Sequence, residues 1–148
     1  MKKISIAVFA ILMASASFAA TTGGPNDAVL KMFSVTFPQA ENIEWFENTD
    51  HFLVNFKEAG ILTKVSYDKE GNFMNSIRYY EGKNLPINVL SAIKKKYADK
   101  KIFGVTEMTS QEGLYYHIKL EDDKNWYTIK ATPEANLELV EKYKKANN

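Results

Sequence analysis

The stretch Val29-Leu30-Lys31-Met32-Phe33-Ser34-Val35-Thr36-Phe37-Pro38-Gln39-Ala40-Glu41-Asn42-Ile43-Glu44-Trp45 decides how the rest of the chain is read, because its pattern returns. Val29, Leu30, Phe33, Phe37 and Trp45 come back at an offset of 60 as Val89, Leu90, Ile93, Tyr97 and Val105. A second series, Phe52, Val54, Phe56, Val65, Asn72, Phe73 and Tyr79, returns at an offset of 64 as Tyr116, Ile118, Leu120, Ile129, Asn136, Leu137 and Tyr143. Such self-similarity predicts two copies of one unit. The four extra residues fall between Val105 and Tyr116, where Thr109 to Gly113 read as a lengthened hairpin turn, since insertions belong in turns.

Within that stretch, Val29, Phe33 and Phe37 stand at i, i+4 and i+8 with Leu30 beside them, and Asn26 or Asp27 offers an oxygen to the first free helix amides. Pro38 ends the helix by disfavouring helical geometry in the residue before it. Ile43 and Trp45 then alternate with Glu44 and Phe46, the period of a half-buried strand. Working outward, Phe52 to Phe56, Thr63 to Tyr67 and Phe73 to Tyr80 alternate likewise, separated by turns at Glu47 to Asp50, at Gly60 and at Asp68 to Asn72. After Pro86 the same order recurs: a helix through Val89, Ile93 and Tyr97, then strands at Ile102 to Met108, Leu114 to Leu120, Trp126 to Ala131 and Leu137 to Tyr143. Ala135 stands where the first copy has Gly71, which predicts a different geometry for the turn Thr132 to Asn136. The expected fold class is α+β: a tandem repeat of a helix followed by a four-stranded antiparallel meander, with the helices packed on one face of the sheet.

The N-terminus reads as something other than fold. Lys2 and Lys3, the uncharged run Ile4 to Met13 and the small-x-small pattern Ser17, Phe18, Ala19 form a secretory signal peptide over residues 1–19. The run is shorter than the ~20 residues that span a bilayer, so no stable membrane anchor is expected after cleavage. Residues 20–26 follow as a flexible lead-in, 27–84 as the first repeat and 85–148 as the second, the two forming one compact body. In a bacterium such a chain is periplasmic or secreted. The whole sequence carries a formal charge of +1; without Lys2 and Lys3, 17 basic residues face 18 acidic ones, a charge of −1. That balance gives no basic stripe for nucleic acid. The one lysine cluster, Lys94 to Lys96 with Lys100 and Lys101, surrounds a helix C-terminus, where cations complement the dipole. With no cysteine the exported chain must hold itself together by burial, which its 45% hydrophobic and 13% aromatic content permits.

The order Phe37-Pro38-Gln39-Ala40, Ile43-Glu44-Trp45, Tyr67-Asp68 with Gly71, and Leu85-Pro86 opening the next helix resembles the PepSY-like periplasmic domains of Bacteroidetes, whose fold is similar to that of beta-lactamase inhibitory protein. The resemblance runs from Asp27 to Tyr143. The second copy departs from it at Tyr97 to Lys100, which lacks the proline, and at Thr132 to Asn136, which lacks the Asp and Gly. The resemblance implies helices on one face of an antiparallel sheet whose other face is open, and a role in binding peptides or restraining peptidases in the cell envelope. Inhibition of a beta-lactamase as such does not transfer with a fold.

Catalytic signatures are missing from the sequence. It has no cysteine nucleophile, no G-x-S-x-G elbow, no H-E-x-x-H and no phosphate-binding glycine loop, so no enzyme and no cofactor are expected. His51 and His117, the two histidines, stand far from any metal-ligand spacing. An alternative to a binding module is a calcium-responsive envelope protein. Asp68, Glu70 and Asn72 place oxygens at i, i+2 and i+4, and Asp122 and Asp123 lie in a second acidic turn with Glu121 and Asn125. Both lack the bidentate glutamate and flanking helices of a calcium loop, and hairpin turns favour these residues for backbone reasons.

Strand parity supplies the candidate site. With Trp45, Phe52, Val54, Phe56, Val65, Tyr67, Tyr116, Ile118, Leu120, Tyr127 and Ile129 facing the helices, the alternates Phe46, Arg78, Tyr80, Tyr115, His117 and Trp126 face away, beside Lys64, Ser66, Lys119 and Lys130. Aromatics and arginine on an exposed face are the composition of a protein-binding surface. Cross-strand aromatic pairing, which stabilises a sheet without any partner, accounts for the same residues. The expected partner is a protein or peptide of the cell envelope, an envelope peptidase among the possibilities.

Overall fold

The computed structural model describes residues 24–146, so the expected signal peptide lies outside the described residues. Helix α1 spans Asp27–Thr36, and strands β1 to β4 follow at Glu41–Glu47, His51–Glu58, Ile61–Asp68 and Phe73–Tyr80. A 3-10 turn at Gly82–Asn84 leads into α2, Ile87–Lys96, and then β5 to β8 at Lys101–Ser110, Gly113–Glu121, Asn125–Ala131 and Leu137–Lys144.

Local chemistry sets each helix. The Asn26 side chain accepts from the Val29 amide and caps α1, while its own amide nitrogen donates to the Lys69 carbonyl at 2.6 Å, pinning the helix start to the β3–β4 turn. That turn comes close: a Cβ on Gly71, whose φ is +90°, would lie 3.1 Å from the Ala28 carbonyl carbon. Val29 and Phe33 of α1 are buried with Phe52, Val54, Phe56, Val65 and Tyr67. Val89 and Ile93 of α2 are buried with Val105, Tyr116, Ile118, Leu120, Tyr127, Ile129 and others. Fully burying each such side chain contributes about 1.5–3 kcal/mol.

The expected fold class is corrected by the strand pairing. The eight strands form one antiparallel sheet in the order β1-β2-β3-β4-β5-β6-β7-β8 with only two helices among the described residues, in place of the expected tandem repeat of a helix followed by a four-stranded meander. Pairs from Asn75↔Ser110 to Tyr80↔Val105 join β4 to β5, so no sheet edge separates the halves. The physical reason is that an unpaired edge at β4 would leave a row of free amides and carbonyls. Gly82 makes the junction possible, because a Cβ there would sit 2.8 Å from the Ile102 side chain at the start of β5.

Register shows that both helices lie on the same side. Buried Thr63 of β3 pairs with Arg78, and Tyr80, two residues on, pairs with buried Val105. One face is therefore continuous from the first core cluster to the second. Two further expectations are corrected. The extra residues of the second series do not lengthen a turn; they lengthen β5 and β6 to 10 and 9 residues, with Ser110 pairing Gly113 across Gln111 and Glu112. And the turn at Thr132 to Asn136 has the bonds of the turn at Asp68 to Asn72. The Thr132 amide donates to the Asn136 carbonyl and that of Ala135 to Thr132, as Asp68 does to Asn72 and Gly71 to Asp68. Ala135 takes φ 65° to do so.

Candidate functional site

The face opposite the helices is built from cross-strand rows. One row runs Lys57, Leu62, Tyr79, Thr106, His117, Lys130 from β2 to β7, each residue directly paired with the next. Beside it runs Asn55, Lys64, Ile77, Met108, Tyr115. Toward the far end come Lys119 and Thr128, then Glu121, Trp126 and Tyr143. Direct partners in such rows sit ~4.5–5.5 Å apart at Cβ.

Of the six residues expected on this face, Tyr115, His117 and Trp126 lie on it; the Tyr115 and His117 rings are 5.3 Å apart on β6, whereas Trp126 of β7 pairs with Glu121 at the far end of β6, ~20 Å from Tyr115. Phe46 is on the same face but on β1, paired with Leu53, five strands from β6 and so ~24 Å away. Arg78 and Tyr80 are corrected: they face the helix side. Tyr80 packs against the second core cluster, and its hydroxyl donates to Glu107 at 2.6 Å, while Arg78 Nη1 donates to the same carboxylate at 3.1 Å. The cause is a bulge. Tyr67 pairs with Phe73 but Ser66 pairs with Asn75, so Met74 is an extra residue that inverts the alternation for the rest of β4. Burial first, and then the bond to Glu107, pushes the Tyr80 hydroxyl well above its ordinary pKa.

Sequence reasoning missed Phe103, Tyr79 and Tyr143. Phe103 occupies the β5 bulge between Ile102 and Gly104, is 64% exposed, and meets Trp126 edge-on with ring centres 4.9 Å apart. Alternation from core-packed Ile102 would have found it. Tyr79 was hidden by the bulge at Met74.

Lysines stand over the rings. Lys130 Nζ lies 4.7 Å from the Tyr115 ring centre, Lys119 Nζ 4.5 Å from Tyr143 and Lys145 Nζ 4.7 Å from Trp126. Each such contact at an exposed site is worth ~0.5–1 kcal/mol. Two of these ammonium groups also meet protein oxygens, Lys145 Nζ the Glu121 carboxylate at 2.6 Å and Lys119 Nζ the Thr128 hydroxyl at 3.2 Å.

The acidic turns are occupied by their own backbone. Asp68 accepts from the amides of Glu70 and Asn72 and from the Asn72 side chain. Asp122 accepts from the amides of Lys124 and Asn125 and, at 2.5 Å, from the Tyr127 hydroxyl. The Tyr127 bond, followed by the Lys124 amide, holds the Asp122 carboxyl far below the usual carboxylate range. Glu70 and Asp123 are exposed, and among the described residues no group of three or more His, Cys, Asp or Glu comes together as a metal site. His51 lies between Asp50, 2.7 Å from Nδ1, and Asn48, whose amide is 2.8 Å from Nε2.

On the helix side a half-open groove of about 350 Å3 runs along α1, lined by Met32, Phe37, Thr63, Tyr67, Phe73 and Ser76 among others. Among the described residues no helix is long and apolar enough to cross a membrane.

No family model matches the chain, and a search among curated proteins finds no match. Solved structures do match. A BLIP-like protein from Bacteroides fragilis superposes with a TM-score of 0.62 at 17% identity, over 84% of this chain and 89% of that one. A Bacteroides eggerthii protein, described as a candidate periplasmic protein, gives 0.60 at 20% identity, over 82% and 90%. A DUF2874 family protein from Bacteroides ovatus gives 0.60 at 20% identity, over 81% and 87%. The fold is therefore similar to that of these Bacteroides proteins, one of which is a BLIP-like protein.

Proposed function

We propose that this chain is a non-enzymatic binding module of the bacterial cell envelope, docking a protein or peptide on the sheet face opposite its helices, with restraint of an envelope peptidase as the specific form of that role. One observation carries the reading: the helices cover only one side, and the other keeps a ring-bearing surface in solvent, with Phe103 64%, Tyr143 47% and Phe46 46% exposed. Solvent-facing sheets are ordinarily polar, and exposed aromatic sets mark association surfaces. The likeness to a candidate periplasmic protein and the signal-peptide pattern of residues 1–19 support the compartment. The PepSY-like motif order supports the same role.

Trp126→Ala and Tyr115→Ala test it. Both are expected to keep unfolding free energy within ~1 kcal/mol of the parent, since they empty no core. Both should abolish co-purification of a partner that the parent retains. Unfolding on either change would make those rings structural and remove the surface.

A further inference from the structure

The charges on the open face are sorted by position. Between β2 and β7 that face carries Lys57, Lys64, Lys119 and Lys130, and its carboxylates stand at the rim. Glu121, at the end of β6, is held by Lys145 at 2.6 Å, and Asp68, at the end of β3, is held by its own turn. Glu41 and Glu44 lie on edge strand β1, Glu41 opposite Lys57. Glu138 and Glu141 lie on edge strand β8, Glu138 opposite Lys130 and Glu141 accepting from the Thr128 hydroxyl to which Lys119 donates. None of the four lysines makes an ion pair among the described residues. A chain whose formal charge is only +1 has thus placed a cationic field in the middle of one face. Lys119 and Lys130 flank His117, Lys130 directly opposite it, and are steered by the rings of Tyr143 and Tyr115, which orient an ammonium without neutralising it. Ile77, Met108 and Tyr79 lie between these lysines and the other pair.

We propose that the open face selects a carboxylate-rich protein segment, its acidic side chains meeting Lys64, Lys119 and Lys130 and its apolar side chains meeting Tyr79, Met108, Tyr115 and Trp126. This rests on the docking role proposed above and adds the chemistry of the partner. Complementary charge steers encounter and sets specificity, and it is screened by salt. Protein is favoured over nucleic acid because the chain as a whole has no basic excess, and the lysines are interleaved with aliphatic side chains that suit another protein's surface.

The test is an amide-shift titration of the purified chain with poly-L-glutamate, with poly-L-lysine, single-stranded DNA and phosphatidylglycerol vesicles as separate arms. Poly-L-glutamate is expected to move the amides of Thr106, His117, Lys119 and Lys130 and to leave those of α1 and α2 in place. Its affinity should fall as ionic strength rises, and K119E and K130E should each lower it about tenfold. Absence of shifts, unchanged affinity in both variants, or tighter binding of DNA or vesicles overturns the proposal. If poly-L-glutamate fails while Trp126→Ala still abolishes partner binding, the acidic chemistry falls and the docking face stands. If both fail, both fall.

Discussion

The sheet carries two cores that are filled in different ways. Under α1 the packing is aromatic: Phe33 touches Phe37, Trp45 and Phe56, with ring centres 5.1–5.6 Å apart, and a groove remains beside Phe73. Under α2 the core is mostly aliphatic, with Val89, Ile93, Ile118, Leu120 and Ile129 fully enclosed, and Tyr80 reaches across from β4 while Leu114 and Leu137 close the sides. Large flat rings bury much area but leave gaps at their edges, whereas branched aliphatics interdigitate. The difference teaches that the α2 half is the better filled, and that Tyr80 and Glu107 tie the two together.

The largest test of that contrast is Phe33→Ala, expected to cost about 3–5 kcal/mol in urea unfolding because three ring neighbours lose their partner. Trp45 in the first core and Trp126 on the open face should report one coincident transition, since β4 pairs with β5. A separate early transition at Trp45 would show that the halves unfold independently.

Next in size is Gly71→Ala, expected to cost ~1–3 kcal/mol, since the turn needs positive φ and the new methyl would press on the start of α1. Ala135→Gly, at the matching turn of the second half, should have the opposite sign and stabilise by a few tenths to ~1 kcal/mol as left-handed strain is relieved. Thermal melts of the two variants side by side check the signs. Tyr80→Phe removes one of two donors from half-enclosed Glu107 and should cost ~1 kcal/mol without disturbing the open face.

The smallest expected effect is on pH dependence. Asp122 is held below its ordinary pKa of ~3.9, so its share of stability is present above that value and is lost as pH falls toward the lowered one. Tyr127→Phe removes the largest cause of the depression, and its stability should decline less steeply than the parent's below about pH 4. Equal slopes in acid denaturation would show that the bond does not set the pKa.

Much of this was legible in the sequence. The helical stripe through Val29 and Phe33 and the alternation in β2, β3, β6 and β7 placed the buried residues correctly, because amphipathic period is a local property. The bulge at Met74 was not legible: one unpaired residue leaves no compositional trace, yet it reversed the faces of Arg78 and Tyr80. Ala135 was misleading for a similar reason. A turn's geometry follows from the strands it must join, and here they hold an alanine at φ 65°. The pairing of β4 with β5 is a long-range fact that turn and strand signals do not carry, and it makes one continuous eight-stranded sheet where a tandem repeat of helix and four-stranded meander was expected.

Site-specific photo-crosslinking in the intact cell tests the docking face most directly, with the photoreactive residue placed once at Tyr115 on the open face and once at Leu90 on α2. The account predicts a discrete crosslinked protein from position 115 and none from position 90. Crosslinking from position 90 alone would place the partner on the helices and contradict it.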